Sequence, residues 1–496
     1  VVVVGDGLTL AARARRSAWA AASPGLAREV AEWEREMAPA RAALDVRAAR
    51  LARPGLVPPL RAARHLAALR VAQLRWAVSR VPSDLAAGAP LRAPGDWLKR
   101  SVAHVVRDQL ALLGPPAVEV ARIIDESEGL APGVIVEELR RRPLRTRPMP
   151  AAVVAGIARR ALGVELADVA DEPVGATPVG QVHHAVSDGR PLLVRVRRPG
   201  IDRMMRADAR ITAMLVAPFE LAVPALAEAH PLGFVELAAR QLLEESDLRN
   251  EALNAVALGL AVEDLGVDTV AVARPVPGLV HRRAAAFEAL DGARPLTDGA
   301  AGLDADAALT DGAAGLDADA AVRALVALTV EAALTHGVFH ADLRPEHLVV
   351  TGDGRLGVVG FGAAGRFDQA TRRSALDYLA AVLGGDVAGQ VAAMQAAGAV
   401  PDGVDLDALV ADLEAAEALQ PAAIFGGGEA ALLTALREAV GLLLRHRLRP
   451  PLEVVLFVRT LFALRALLQL VAPDRPLLHA LLPVVQRLPD LRAELV

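Results

Sequence analysis

The chain has no cysteine and a single lysine, Lys99, among its 496 residues, and each absence excludes chemistry. Without cysteine there is no disulfide, no thiolate nucleophile and no cysteine-ligated zinc. With one lysine, Schiff-base and other amine chemistry has one address. Every other basic residue is arginine, a skew that points to a GC-rich coding sequence. Aromatic residues make up only 3% of the chain against 53% apolar, so the core must be built from Ala, Leu and Val. No uninterrupted apolar run approaches the ~20 residues that span a bilayer. The nearest, residues 452–472, is broken by Glu453, Arg459 and Arg465 and reads as a buried C-terminal helix. A net charge of -5 with mixed signs gives no basic field for nucleic acid, which is therefore not expected as a partner. The first residues, VVVVGDG, lack a methionine, so the natural start is expected upstream; whether a leader precedes it stays open, and the visible part shows none.

The length suits several domains, or a two-lobed body with an extension. Residues 1–100 are rich in Ala and Arg with helical periodicity, and residues 46–83 hold eight arginines and no acidic residue. A helix expected at about 60–80 sets Leu66, Leu69, Leu74 and Trp76 among those arginines. Such a basic amphipathic helix suits an anionic membrane surface, or else packs on its own protein with an arginine-coated outer side. From residue 172 the pattern turns to strands, with a hairpin at Asp188-Gly189. Helices are expected over 203–229 and 233–260, short strands near 269–273 and 284–290, a helix over 322–336, and only helices from 367 onward. LTDGAAGLDADAA at 296–308 is copied without change at 309–321, an acidic insertion expected to be disordered or partly helical.

GVFHADLRPEHLVV at 337–350 followed by VVGFG at 358–362 has the layout of a kinase catalytic loop and metal loop. Such a site needs a carboxylate base, an asparagine five residues on for one magnesium, and the Asp of D-F-G for the other. Asp342 keeps the base, but His347 stands at the asparagine and Gly360 at the aspartate. Two hard-oxygen ligands have become an imidazole and a hydrogen atom, which magnesium has little reason to bind. The histidines 336, 340 and 347 are not expected to make a metal site, because the chain is expected to leave its helix before His340.

Five segments then follow one another: LGPPAVEVAR at 113–122, PVGATPVGQVH at 173–183, LLVRVRRPG at 192–200, the acids Glu245, Asp247 and Glu251, and HADLRPEH at 340–347. In this order they resemble the UbiB/ADCK (AarF-type) family of atypical kinase-like proteins over roughly residues 105–475. The resemblance implies an α+β, mostly helical fold, bilobal and protein-kinase-like, with an N-terminal helical extension. It implies a nucleotide loop at Gly175, Ala176, Thr177, Gly180 and Gln181, a phosphate-side pair at Arg195 and Glu251, and a structural His340. Pro178 removes one amide donor from the loop. Arg195 stands where the family has lysine, and Glu119 and Arg122 where it has the lysine and glutamine of K-x-G-Q. In the family that lysine faces the E-x-D carboxylates, so Glu119 there crowds three acids. Arg122, one turn on and on the same helix face, is expected to pair with Glu245 or Asp247.

The expected organisation is an extension over 1–100, a helical segment with the degenerate K-x-G-Q over 101–145, a small lobe over 146–292 and a large lobe over 293–496 carrying the repeat at 296–321. The expected function is a pseudokinase acting as a regulatory or scaffold module in isoprenoid-quinone or membrane-lipid metabolism, with no metal and, at most, ATP bound without magnesium. The alternative is an active kinase or ATPase in which Asp342 is the base, Arg195 and Glu251 face phosphate and Glu346 replaces a metal ligand; a decayed gene product is the third reading. Partners implied are a membrane surface met through residues 46–83 and a lipid or quinone-pathway protein, at a cytoplasmic location or on the inner membrane face.

Overall fold

The computed structural model describes residues 3–4, 8–126, 133–144, 146–222, 231–297, 315–426 and 428–495. Most of the acidic tandem repeat, residues 298–314, lies outside them.

The N-terminal part contributes α1 (Pro59–Ser79), α2 (Pro94–Leu113), α3 (Pro115–Glu126), α4 (Gly133–Arg141) and α5 (Ala151–Leu162). A sheet follows. β1 (Gly175–Ala176), β2 (Gly180–Ser187) and β3 (Arg190–Arg197) run antiparallel, and Asp188 and Gly189 close the β2–β3 hairpin with φ of 50° and 73°. Two positive φ values are what a two-residue turn needs to match the twist of its strands. After α6 (Ile201–Ala222), α7 (Pro231–Glu245) and α8 (Leu248–Asp264), β4 (Val270–Val272), β5 (Pro275–His281) and β6 (Ala284–Glu288) appear. The five-stranded sheet has the order β1-β2-β3-β6-β5 and is antiparallel throughout. Within this sheet, β5 is the strand the sequence reading does not anticipate. Pro275, Pro277 and Gly278 argue against a strand, and they are tolerated because β5 is an edge.

Alternation divides the sheet. Leu192, Val194, Val196, Ala284 and Ala286 pack on Val154 and Ile157 of α5, whereas Leu193, Ala285 and Phe287 join the main core with α8. α8 is buried along nearly its whole length, so it is apolar all round rather than striped. At Gly259 a Cβ would come 2.5 Å from the Trp19 ring, so this helix is approached too closely for any side chain. The expected helix over 233–260 is two helices. Asp247 breaks it by capping α8, its carboxylate accepting from Arg249 N at 3.2 Å.

In the large lobe, β7 (Arg294–Pro295), β9 (Leu348–Val350) and β10 (Leu356–Val358) join β4 in the order β4-β10-β9-β7. β8 (Val338–His340) pairs antiparallel with β11 (Ala364–Arg366). These two ladders bring the segments around 342 and 360 together. The helix before β8 passes through a π-helical turn, Ala327–Glu331, and ends at Gly337, whose φ of 67° is a C-terminal cap that only glycine adopts freely. Helices fill the chain from 369 onward, among them α9 (Leu452–Val471). The fold is α+β, mostly helical and bilobal in the protein-kinase manner.

The extension divides in two. Leu10, Leu26, Val30, Trp33 and Met37 are buried in the main core with α8, and Trp19 N donates to Glu263 at 2.9 Å. α1 and α2, by contrast, turn Leu60, Leu66, Leu74, Val78 and Leu98 outward.

Candidate functional site

His340 ties the catalytic-type loop to the metal-type loop. Its Nε2 donates to Gly360 O at 2.6 Å and its Nδ1 accepts from Asp342 N at 3.3 Å, which fixes one neutral tautomer. Burial, then the nearby His347, lower its pKa to about 4. His347 Nδ1 donates to Asp342 O at 2.7 Å, and its own carbonyl accepts from Val359 N at 3.0 Å. The two positions that should hold magnesium therefore carry one buried imidazole and a glycine packed against it. A Cβ at Gly360 would lie 2.7 Å from His347 Cγ and 3.0 Å from its Nε2. The imidazole occupies the place of the missing aspartate side chain. A hard cation needs several oxygens here, and the residues present do not fit it.

Asp342 sits under a lid of arginines. Arg122 Nη1 donates to Asp342 Oδ1 at 2.7 Å, and Arg344 Nε donates to the same oxygen at 2.8 Å. Burial alone would raise the carboxyl; Arg122, then His347 and Arg459, outweigh it and hold it below the usual carboxylate range. Arg122 also bonds Glu119 and lies 3.7 Å from Glu245 Oε1. One guanidinium on α3 thus bridges three acids from three parts of the chain. Arg122 pairs with Glu119, Asp342 and Glu245; among the described residues Asp247 is not a partner, because it caps α8 and pairs with Arg249 at 2.7 Å. Burial, then Glu119, push Glu245 up to about 8 against the pull of Arg122. Gln241 steadies Glu245 from one turn away, donating to it at 3.0 Å.

Across the cleft, Arg195 on β3 and Glu251 on α8 meet at 3.0 Å, both buried. The same Glu251 oxygen accepts from Phe361 N at 3.3 Å, so strand, helix and metal-type loop are joined at one atom. Glu251 Oε2 and Arg195 Nε are buried with no hydrogen-bond partner among the described residues. The pair keeps the arrangement of a kinase lysine and its helix glutamate. Asn254, one turn further on, donates to Phe361 O at 2.9 Å and accepts from Arg366, fixing the loop from its other side.

The small-residue loop is closed on itself. Thr177 N donates to Gly180 O at 2.8 Å, and Gly180 N donates to Thr177 Oγ1 at 3.1 Å. Those two amides are spent inside the hairpin, and Pro178 has none, so the expected cradle at Gly175, Ala176, Thr177 and Gly180 loses much of its donor set. Gln181, expected in the nucleotide loop, has its side chain engaged elsewhere. It is fully buried, its Oε1 accepts from Met149 N at 2.7 Å, and its Nε2 donates to Met149 O at 2.9 Å and to His183 Nε2 at 2.7 Å. It clasps the chain entering α5.

Sequence reasoning passed over Arg344 and Arg459. Arg459 rises from the apolar α9 to donate to Gln241 Oε1 at 3.1 Å and Ala341 O at 3.0 Å. The signal was available: an arginine inside a buried apolar helix must find acceptors, because an unpaired buried charge is costly. Arg344 is a substitution within the catalytic-type loop itself. Burial, then Arg122, lower its pKa to about 9. Glu346 pairs with it at 3.4 Å.

Comparison with known proteins agrees with this layout. An uncharacterised Mycobacterium tuberculosis protein, Rv0647c, is 29% identical over 312 residues, 62% of this chain and 61% of that one. An uncharacterised aarF domain-containing chloroplast protein kinase of Arabidopsis thaliana is 26% identical over 320 residues, 61% of this chain and 55% of that one. A probable protein kinase UbiB of Marinobacter nauticus is 30% identical over 156 residues, 30% of this chain and 28% of that one. The chain thus spans less than two thirds of the length of these curated relatives. The solved complex of Rv3197 with erythromycin from Mycobacterium tuberculosis aligns at a TM-score of 0.37 and 22% identity, covering 67% of this chain and 81% of that one, too distant a likeness to argue from. The ABC1 atypical kinase-like domain matches residues 146–394, half of the chain and the part that holds Arg195, Glu251, Asp342 and Gly360, and the chain accordingly belongs to that family of UbiB and AarF-type kinase-like proteins.

Proposed function

We propose that this chain is a pseudokinase of the UbiB/ABC1 type, a binding or scaffold module in isoprenoid-quinone or membrane-lipid metabolism that does not hand on phosphate. One observation carries the reading: His347 fills the space in front of Gly360, where a metal-binding carboxylate would stand. The arginines on Asp342 support it, since a base committed to Arg122 and Arg344 is poorly placed to accept a hydroxyl proton. Phosphoryl transfer depends almost wholly on positioning and on neutralising charge, which the metal ions chiefly supply. The retained Arg195–Glu251 pair favours a second reading, in which a nucleotide is still bound without being cleaved.

The test is ATP hydrolysis and magnesium-nucleotide binding, measured calorimetrically on the chain and on an Arg195→Lys, His347→Asn, Gly360→Asp triple variant. The expected result is no turnover and no magnesium-dependent heat in the parent, with nucleotide affinity gained in the variant. Turnover in the parent that is lost in Asp342→Asn would overturn the proposal and restore an active ATPase or kinase. Magnesium-independent ATP binding in the parent, without turnover, would select the second reading.

A further inference from the structure

Helix α1 has two unlike faces. The inner one buries His65, Ala68 and Ala72, with His65 Nε2 and Arg61 Nε on Asp208 of α6 at 2.9 and 2.6 Å. The outer one carries Leu60, Val71, Leu74 and Val78, exposed by 87, 40, 64 and 70%. Their spacing keeps them on one side of the helix, and exposed Ala63 and Ala67 fill the stripe between the first two. Exposed Arg64, Arg70 and Arg75 flank it.

At its C-terminal end the stripe runs into a cavity of about 640 Å³ between α1, α2 and the end of α4. Leu74 and Val78 form the apolar wall, and Arg75, Arg80, Arg107 and Arg142 supply the charge. Arg107 donates to Asp108 at 2.8 Å, and Arg142 lies 3.7 Å from the same acid and 4.0 Å from Glu138, so these two guanidiniums are already paired. Among the described residues, Arg75 and Arg80 have no carboxylate within ion-pair distance.

We propose that this cavity and stripe form one site for an acidic phospholipid surface. The headgroup phosphate enters the cavity between Arg75 and Arg80, and Leu60, Val71, Leu74 and Val78 meet the acyl boundary. Guanidiniums suit phosphate oxygens, and an apolar stripe edged by arginine suits the headgroup–acyl junction. A soluble anion would satisfy the cavity but leave the stripe in water. A second copy of the chain, docked on the same face, would set like charges against each other in a region of eight arginines and no acid. The site stands whether or not phosphoryl transfer survives, so its failure and that of the pseudokinase reading are separate results.

Flotation of the full chain with phosphatidylcholine vesicles, with and without phosphatidylglycerol, tests it. The chain is expected to float only with the acidic vesicles. Arg75→Gln/Arg80→Gln should lower partition about fivefold per guanidinium removed, since each is worth roughly a kcal/mol at an acidic surface. Leu74→Gln/Val78→Gln should also release the chain, with its circular dichroism and melting unchanged. Arg15→Gln/Arg16→Gln, two exposed arginines outside the patch, should float as the parent does. Equal binding to neutral vesicles would overturn the proposal, as would undiminished flotation of either patch variant. Thermal stabilisation by inorganic phosphate without flotation would assign the cavity to a free anion instead.

Discussion

On one side of the cleft, Arg195 and Glu251 meet at 3.0 Å and share an oxygen with the backbone of Phe361; on the other, His347 lies against Gly360 where two oxygen ligands should converge. The first side has exchanged one cation for another and kept its partners. The second has exchanged acids and amides for a ring and a void, and the ring fills the void. A substitution that preserves charge and reach leaves the neighbours in place. One that changes size is followed by repacking, and the repacking then resists reversion. A third cluster, around Arg122, belongs with the second side: Glu119 and Arg122 exchange the family's lysine and glutamine for an acid and a cation that serve each other and Asp342.

That comparison breaks most readily at Arg122. Arg122→Ala leaves Glu119, Glu245 and Asp342 facing one another in the interior. Removing one member of a buried ionic cluster costs about 3–5 kcal/mol, because the remaining charges are uncompensated. Urea denaturation followed by circular dichroism should show that loss in the main transition, smaller at acid pH where the carboxylates protonate. A loss below about 1 kcal/mol, within the range of exposed pairs, would mean that the cluster does not hold the large lobe together.

Gly360→Asp comes next, at about 3 kcal/mol, since it overpacks against the His347 ring and buries a carboxylate without a partner. His347→Asn/Gly360→Asp should recover more than half of that cost, so the two sites are coupled in a double-mutant cycle. Additive effects would show that the ring and the glycine have not adapted to each other.

These couplings mark the limit of what the sequence discloses. The catalytic-type loop is legible because HADLRPEH sets its spacing locally, and the β2–β3 hairpin because Asp188-Gly189 is a turn that needs no tertiary context. The helix expected at about 60–80 appears at 59–79 for the same reason. β5 is hidden by its prolines, which its edge position excuses. The end of α7 is hidden too, although an Asp before a helical run with Glu in its first turn is a cap signal. The site is harder to read. Arg122 reaches Asp342 across 220 residues of sequence, a contact that only packing decides, whereas the family resemblance, with Arg122 on the helix face of Glu119, points to Glu245 and Asp247 alone. Motif position alone puts Gln181 in the nucleotide loop, and burial gives it a different task.

The third effect is one of pH. Glu245 holds its proton to about 8 in the folded chain and to about 4.5 in the unfolded one. Its raised value contributes stability that is fully present below 4.5 and lost as pH rises through about 8. Asp342 runs the other way: its lowered value stabilises above the ordinary 3.8 and is lost as pH falls through the folded value. Glu245→Gln is neutral at every pH, so it should gain on the parent as pH rises across the Glu245 window, by on the order of 2 kcal/mol. Unfolding midpoints at several pH values give the answer. A constant offset between the two proteins would mean that the Arg122 cluster keeps Glu245 ionised.

The smallest effect is expected at Arg195→Lys, the family's own residue. The substitution keeps the charge, and the ammonium retains an acceptor in Glu251, but it gives up the planar fork that also lies 3.3 Å from the Cβ position of Gly362. We expect a loss of about 1 kcal/mol, within the usual cost of one buried hydrogen bond. The value matters relative to Gly360→Asp. If the phosphate side has only exchanged one cation for another, reversion there is nearly free, while reversion on the metal side is opposed by the ring that moved in. A loss at Arg195→Lys as large as that at Gly360→Asp would erase the distinction, because both halves of the cleft would then have repacked around their replacements.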